Sequence, residues 1–180
     1  MLDQVGIPHE VIVSDVDETI DGPPDVQVLT LALRKASAVC NMVKKDAVII
    51  AADTLVYVDS KVLSKPESPE DAFNMLQLLQ GREHIVYTGV AILRIDGDRV
   101  DTETFVESAK VFFRDLSPDE IYKYIATGEP FDKAGSYGVQ EKGALLVERI
   151  EGDYFTVVGL PIAKLALNLD KMGIDVWSRS

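Results

Sequence analysis

DAVIIAADT, residues 46–54, contains the clearest strand pattern of this 180-residue chain. Asp46–Ala52 is a short apolar run rich in valine and isoleucine, which predicts a strand buried on both faces. The run ends in Asp53-Thr54, so the predicted strand delivers a carboxylate to its carboxyl end, the edge where open α/β sheets place their ligands. Asp53 could equally cap a turn through its side chain. The position alone makes Asp53 a candidate and no more.

The segments on either side of this strand alternate between helical and strand patterns. Hairpins interrupt the order, so it predicts a mixed α/β fold rather than a purely parallel doubly wound sheet. We find no repeat or interdomain linker, which predicts one domain over residues 1–180. The predicted elements are a strand at 10–13, a helix at 25–44, a hairpin of 55–58 and 61–63, a helix from Ser68 to Gly81, strands at 84–95 and 100–113, a helix from Ser117 to Gly128, paired strands at 145–150 and 154–158, and a helix from Pro161 to Met172.

Composition narrows the class of function. The formal net charge of −12 argues against binding to nucleic acid, whose affinity comes largely from phosphate neutralisation. A single cysteine, Cys40, excludes an internal disulfide framework and a cysteine-based zinc site. No signal peptide and no apolar run approaching the ~20 residues of a membrane span can be found, so we expect a cytoplasmic protein without a membrane partner. An acidic protein must gather its few cations, or recruit a divalent metal, to hold a phosphate-bearing substrate.

An acidic turn at residues 14–18 comes after the first predicted strand. Its carboxylates, Asp15, Asp17 and Glu18, repel one another unless they are solvated, share a proton or bind a divalent cation. Oxygen ligands of this kind suit Mg²⁺ or Mn²⁺. A solvated surface turn is the simpler interpretation. A two-acid site made of Asp53 and Glu18 would allow one carboxylate to bind metal while the other activates water.

Three lysines and one glutamine break the pattern of their surroundings. Lys35 lies among small residues of the first predicted helix, Lys65 precedes a proline, and Lys133 lies in a glycine-rich segment over residues 132–143. Each could be an ordinary surface residue, but together they supply the positive charge that a triphosphate requires. Gln140, in the same glycine-rich segment, could read a base edge with its amide. Neither GxxxxGK[ST] nor GxGxxG occurs, so P-loop and Rossmann sites lack their anchors.

Taken in order along the chain, these residues lie in motifs that resemble the Maf family of nucleoside triphosphate pyrophosphatases. The resemblance covers essentially the whole chain, and ten motifs in family order are far more specific than one. The matching stretches are SDVDE (14–18), LRKA (33–36), AADT (51–54), SKP (64–66), LQGR (79–82) followed by His84, TGV (88–90), GEP (128–130), DKAGSYGVQ (132–140), IEGDY (150–154) and VVGLP (157–161).

The resemblance implies a fold and a reaction. The fold would have two lobes around a long, curved mixed sheet, similar to inosine triphosphate pyrophosphatase, with the active cleft between the lobes. The reaction would be attack of water on a nucleoside triphosphate, dependent on Mg²⁺ or Mn²⁺, with release of pyrophosphate. Asp53 would be the principal catalytic carboxylate, acting as base or metal ligand, and Glu18 would assist at the metal. The resemblance also suggests a homodimer.

The remaining roles also come from the resemblance. Lys35, Lys65 and Lys133 would hold the phosphates, and Gln140 would help to recognise the base. The stretch YGVQ, residues 137–140, resembles the branch of the family that prefers dTTP, UTP and modified pyrimidine triphosphates.

The sequence also departs from the family pattern. The usual opening strand and its Ser-x-Ser-Pro-Arg-Arg loop have no counterpart, because residues 1–7 already match the family sequence beyond that loop. Either residues upstream complete the site or this form binds triphosphates poorly, since lysine does not replace arginine freely at phosphate. An apolar groove or open sheet edge is also expected there. The alternatives are a catalytically weak nucleotide-binding or regulatory protein linked to cell-division control, and the same chemistry on 7-methyl-GTP.

Overall fold

The computed structural model describes residues 1–43 and 46–177. The chain divides into two compact units. The first unit contains residues 1–53, 88–107 and the chain from 159 onward, and the second contains residues 54–87 and 108–158. The described chain combines hairpin pairs of strands with intervening helices, which confirms the mixed α/β class that the sequence predicts.

Five strands form one sheet in the order β2-β1-β3-β4-β5. The pairing of β1 with β2 is antiparallel, and so is the pairing of β4 with β5. The three longest strands contribute residues to both units, whereas the two short ones belong to the second unit. The strands are β1 (Ala47–Val58), β2 (Lys61–Leu63), β3 (Glu83–Asp96), β4 (Arg99–Phe113) and β5 (Val147–Glu151).

Helices start where proline and serine fit the first turn. Ser68 and Ser117 cap the second and third helices by accepting hydrogen bonds from backbone N–H groups, and Ser117 forms a reciprocal capping box with Glu120. The α-helices are α1 (Pro24–Cys40), α2 (Pro69–Leu79), α3 (Pro118–Ile125), α4 (Tyr154–Val158) and α5 (Ile162–Lys171). Short 3₁₀ helices lie at Asp3–Val5, Glu129–Asp132, Ala134–Ser136 and Lys142–Leu146.

In the first unit, α1 packs tightly on the sheet. Small residues make this possible, because Ala32 and Ala36 of α1 are fully buried in a cluster with Ile49 of β1 and Ala91 of β3. A methyl group added to Gly89 of β3 would lie 2.5 Å from the backbone carbonyl of α1. The helix that carries Lys35 is therefore held at a fixed distance from the strands.

In the second unit, aromatic and aliphatic side chains from β3, β4, α2 and α3 form the core. The imidazole of His84 is buried among them and lies 2.6 Å, Nε2 to Oη, from the hydroxyl of Tyr137. Its other nitrogen, Nδ1, has no hydrogen-bond partner within the described residues. Burial, together with the charge of Arg82, lowers the pKa of His84 to about 4, so the ring is neutral at neutral pH.

Several predicted elements are confirmed and others are wrong. The hairpin at Asp59-Ser60 is confirmed, with φ of 48° and 61°, as a two-residue type I′ turn requires. The predicted strands 46–52 and 55–58 are one strand, β1, so Asp53 lies within it and not at its end. The first helix ends at Cys40, and the predicted end at Lys44 lies outside the described residues.

Two strand predictions are wrong. Residues 10–13 form no strand, and Val11 and Val13 are largely exposed, so the valines are not in a ladder that would bury them. Residues 154–158 form the helix α4, which follows Asp153 in the chain. The side chain of Asp153 accepts a hydrogen bond from the backbone N–H of Phe155. The partner of β5 is therefore β4. Short runs rich in aromatic and β-branched residues resemble strands, but periodicity does not distinguish them from other local structure at this length.

An apolar groove of about 460 Å³ lies beside β1 in the first unit. β2 pairs only with the end of β1, Val56–Val58. The groove borders the earlier part of that strand, Ala47–Ile50, together with residues 7–12 and Leu169.

Candidate active site

The side chain of Asp53 is directed to a lysine of the neighbouring helix. Asp53 lies within β1 after two alanines, and only 12% of its side chain is exposed. Lys35 of α1 places its Nζ 2.6 Å from Oδ1 of Asp53. A carboxylate this buried needs such a partner, since an isolated charge in the same place would be costly. The strand and the helix thus fix the relative positions of these two groups.

The same ammonium group contacts a second carboxylate. Glu18 lies in irregular chain, is 53% exposed, and places Oε1 2.7 Å from Nζ of Lys35. Arg34, the preceding residue of α1, donates from Nη1 to the backbone oxygens of Asp17, at 3.0 Å, and Thr19, at 3.2 Å. Consecutive residues of α1 therefore hold the backbone and the side chain of the segment around Glu18.

The acidic turn divides into residues of different roles. Asp17 accepts a hydrogen bond of 2.8 Å from the backbone N–H of Thr19, and the Thr19 hydrogen bonds lower the pKa of Asp17. This carboxylate shapes the turn. Within the described residues, no group of three or more His, Cys, Asp or Glu side chains could hold a metal. Of the acidic-turn residues, Glu18 converges with Asp53 on the ammonium group of Lys35.

The charge state of Lys35 is set by these contacts. Burial alone would lower the pKa of Lys35, but hydrogen bonds to Asp53 and Glu18 outweigh it and raise that pKa. The group is therefore a permanent cation at neutral pH. We call Glu18, Lys35 and Asp53 the carboxylate–lysine centre.

The second unit brings the surroundings of Lys65 and Lys133 together. The backbone N–H of Gly135 donates to the backbone oxygen of Ser64 at 3.1 Å, which joins chain segments that are far apart in sequence. A Cβ at Gly135 would lie 2.8 Å from the side chain of Val56, so only glycine fits this close approach. Lys133 pairs with Asp132 at 3.0 Å, and Lys65 is exposed.

Gln140 lies in a loop that the second unit holds at both ends. Its side chain is exposed, and Val139 before it is buried. The sequence patterns assigned no role to Glu129, whose carboxylate binds the backbone of this loop, or to Arg34. Glu129 lies in the motif GEP and Arg34 in the motif LRKA, next to Lys35. Their place in these motifs was the sequence feature that could have indicated a role.

Nearly the whole sequence is similar to a known protein family and to several of its members. The family profile described as Maf-like protein matches residues 1–172. A dTTP/UTP pyrophosphatase of Bacillus cereus is 49% identical over 179 residues, which are 98% of this chain and 91% of the relative. Proteins of the same name from Bacillus anthracis and Bacillus thuringiensis subsp. konkukian are 48% identical over the same shares. The family expected from the sequence motifs is thereby confirmed, and the chain belongs to the Maf family.

Proposed function

We propose that this chain hydrolyses nucleoside triphosphates, with dTTP and UTP as preferred substrates, to the monophosphate and pyrophosphate. Two observations support the proposal. Relatives at about half identity over nearly the whole chain carry the name dTTP/UTP pyrophosphatase. The carboxylate–lysine centre places a largely shielded carboxylate next to a permanent cation, and positioned charged groups of this kind stabilise phosphoryl transfer.

Within this centre, Asp53 is the group that acts on water or a metal. Its carboxylate is mostly shielded from solvent and is held by Lys35 at Oδ1. A positioned carboxylate can accept a proton from water, and catalysis of this kind contributes about 10²–10⁴-fold in rate. Lys35 orients Asp53 and offers its charge to phosphate oxygens. Glu18, being more exposed, is the more adaptable carboxylate of the pair.

The donor set fits a divalent cation. Glu18 and Asp53 bring two negative charges against the one positive charge of Lys35, so the centre by itself would repel a polyphosphate. Both carboxylates already approach one cation, and Mg²⁺ in proteins is commonly held by one or two carboxylates together with substrate phosphates. Glu18 and Asp53 would hold the ion. When bound, it would offset charge that develops on the phosphoryl oxygens.

The family motifs assign substrate contacts to Lys65, Lys133 and Gln140. Lys65 and Lys133 would hold phosphates, since the bond between Ser64 and Gly135 keeps their backbones close. Gln140, exposed on its loop, would hydrogen-bond the base with its amide. These roles are carried from the family motifs.

The observation that carries the proposal is the placement of Lys35 Nζ within 2.7 Å of both Asp53 and Glu18. The test is a panel of triphosphates, dTTP, UTP, CTP, dGTP and 7-methyl-GTP, incubated with Mg²⁺ or Mn²⁺ and assayed for pyrophosphate. We expect dTTP and UTP to give the highest kcat/KM. Faster turnover of 7-methyl-GTP would transfer the proposal to that substrate. Nucleotide binding by calorimetry without any turnover would favour a regulatory protein.

Two further expectations concern the whole protein. We propose a homodimer, which sedimentation velocity would detect as a species of twice the mass of one chain. We also propose the cytoplasm as its location, testable by cell fractionation. No described helix combines the length and apolar character that crossing a membrane requires.

A further inference from the structure

The carboxylate of Glu129 binds three donors at once. Its Oε1 accepts hydrogen bonds from the hydroxyl of Tyr124, at 3.0 Å, and from the backbone N–H of Gly143, at 3.1 Å. Its Oε2 accepts from the backbone N–H of Lys142, at 3.0 Å. Hydrogen bonds to an ionised group are about twice as strong as neutral ones. Glu129 therefore fixes the chain at residues 142 and 143.

Tyr124 extends this contact to the other end of the same loop. Its hydroxyl donates to Glu129 and accepts from the backbone N–H of Gly138, at 3.2 Å. The ring belongs to the core of the second unit. The pKa of Tyr124 is raised, mainly because the side chain is buried. The hydroxyl therefore stays protonated, as its role of donor requires. Tyr124 and Glu129 together bind residues 138, 142 and 143, which enclose Gln140.

The two ends of the loop lie in direct contact. A Cβ at Gly143 would be only 2.0 Å from the backbone oxygen of Gly138 and 2.8 Å from the hydroxyl of Tyr124. A Cβ at Gly138 would be 2.5 Å from Cε of Lys133, so the lysine stem lies across this glycine. The loop that carries Gln140 therefore packs against the stem of Lys133, and Glu129 binds the backbone of this loop.

We propose that Glu129, acting with Tyr124, is a positioning residue that sets the base preference of the site. The two side chains hold the loop so that Gln140 has one position relative to Lys133. Discrimination between bases depends on hydrogen bonds in fixed directions, and loss of a site's hydrogen bonds weakens discrimination strongly. Without the carboxylate, the N–H groups of Lys142 and Gly143 lose their partners and the loop takes several positions. The inference rests on the proposed function for its choice of nucleotide.

The test compares a ligand that has a base with one that lacks it. We expect Glu129→Gln and Tyr124→Phe to weaken dTMP binding, measured by calorimetry, by about 10-fold or more. Binding of pyrophosphate should change by less than about twofold, because it has no base to be read. In turnover, the ratio of kcat/KM for dTTP over dGTP should fall towards unity. Glu148→Gln and Tyr122→Phe, two exposed positions of the second unit, are the matched controls.

The possible outcomes each decide the role of Glu129. Equal weakening of dTMP and pyrophosphate, or no weakening of either, would overturn the inference, as would a failure of the unmodified protein to bind dTMP. Tyr124→Phe keeps the buried ring, so it tests the hydroxyl even if Glu129→Gln folds poorly. If the unmodified protein binds dTMP but releases no pyrophosphate, the proposed function fails while the binding comparison still decides the role of Glu129.

Discussion

Lys35 is the residue on which the carboxylate–lysine centre depends. It forms ion pairs with both Glu18 and Asp53, and it does so from a helix whose backbone is fixed against β3. Its raised pKa keeps it charged well above neutral pH. Removing the ammonium would leave two carboxylates to repel each other and an approaching triphosphate.

Substitution of Lys35 by methionine keeps the stem and removes the charge. We expect kcat/KM for dTTP to fall by about 10²–10³-fold, as for loss of a single group that stabilises transition-state charge. Pyrophosphate release is the measurement. Lys123→Met, an exposed lysine paired with Asp119 on α3, should leave activity unchanged. Activity within twofold of the unmodified protein would remove Lys35 from the site.

Individual site residues could be identified from the sequence, but the contacts between them could not. Lys35 stood out because a lysine among small residues interrupts an apolar pattern, and Asp53 because it comes after an apolar run. Neither pattern could indicate that the two side chains meet, since that distance depends on how α1 crosses the sheet. Asp17 could not be separated from the candidate ligands by sequence, because a carboxylate that forms a turn and one that binds a metal look the same there. In the structure, Asp17 accepts a hydrogen bond from the backbone N–H of Thr19.

The packing of α1 on β3 is the element contact that positions the centre. Replacing Gly89 by alanine would bring a methyl group within 2.5 Å of the α1 backbone carbonyl and force the helix outward. We expect a loss of about 1–3 kcal/mol in the free energy of unfolding. Because Lys35 would move with the helix, kcat/KM should also fall by about 10-fold or more. Urea titration and the pyrophosphate assay measure the two effects.

The control for this change is Ser37→Ala, an exposed position of α1. It should alter neither stability nor activity. If Gly89→Ala is as stable as the unmodified protein, the helix is not held by that close approach.

The contact between β3 and the segment of Tyr137 predicts a pH dependence of stability. His84 has a folded pKa of about 4, below the ordinary value of 6.5, so the unfolded chain takes up the proton first as the pH falls. The contribution of neutral His84 is complete above pH 6.5 and is lost between pH 6.5 and 4, amounting to about 3 kcal/mol. Urea unfolding at pH 7, 5.5 and 4.5 should show this loss in the unmodified protein and a smaller one in His84→Asn. Equal losses in both would refute it, with His9→Gln as control.

Elements with chemical start and stop signals were predictable. Ser68 and Ser117 before Pro69 and Pro118 marked two helices, and Asp59-Ser60 marked the first hairpin. The segment 154–158 was not predictable, because five aromatic or β-branched residues fit a strand or a helical turn equally well. Its Asp153 cap was the available sign of a helix.

For the molecule as a whole, charge is the reason why we expect the reaction to depend on a divalent cation. A net charge of −12 and a centre with more carboxylates than ammonium groups oppose the binding of a polyphosphate. We expect EDTA to abolish pyrophosphate release and Mg²⁺ or Mn²⁺ to restore it. Mn²⁺ binding, measured by electron paramagnetic resonance, should weaken in Glu18→Gln and not in Glu10→Gln. Full activity in EDTA would contradict a role for the ion.

The mixed α/β class was predictable from the alternation of helical and strand patterns, and the family from ten motifs in order. The resemblance implies two lobes, but helical and strand patterns alone do not predict the division into two compact units that share the long strands. Periodicity shows where a strand lies but not which of its residues belong to which cluster of contacts. The continuous course of β1 through Asp53 is the clearest case.

We expect Asp53, held by Lys35, to drive cleavage of a nucleoside triphosphate into monophosphate and pyrophosphate. Phosphorus NMR of dTTP incubated with the protein and Mg²⁺ detects both products directly. The unmodified protein should yield dTMP and pyrophosphate in equal amounts, and Asp53→Asn should be slower by about 10²–10⁴-fold, with Asp101→Asn unaffected. Equal rates for the unmodified protein and Asp53→Asn would contradict this role of Asp53. Orthophosphate and dTDP as products would contradict the proposed reaction.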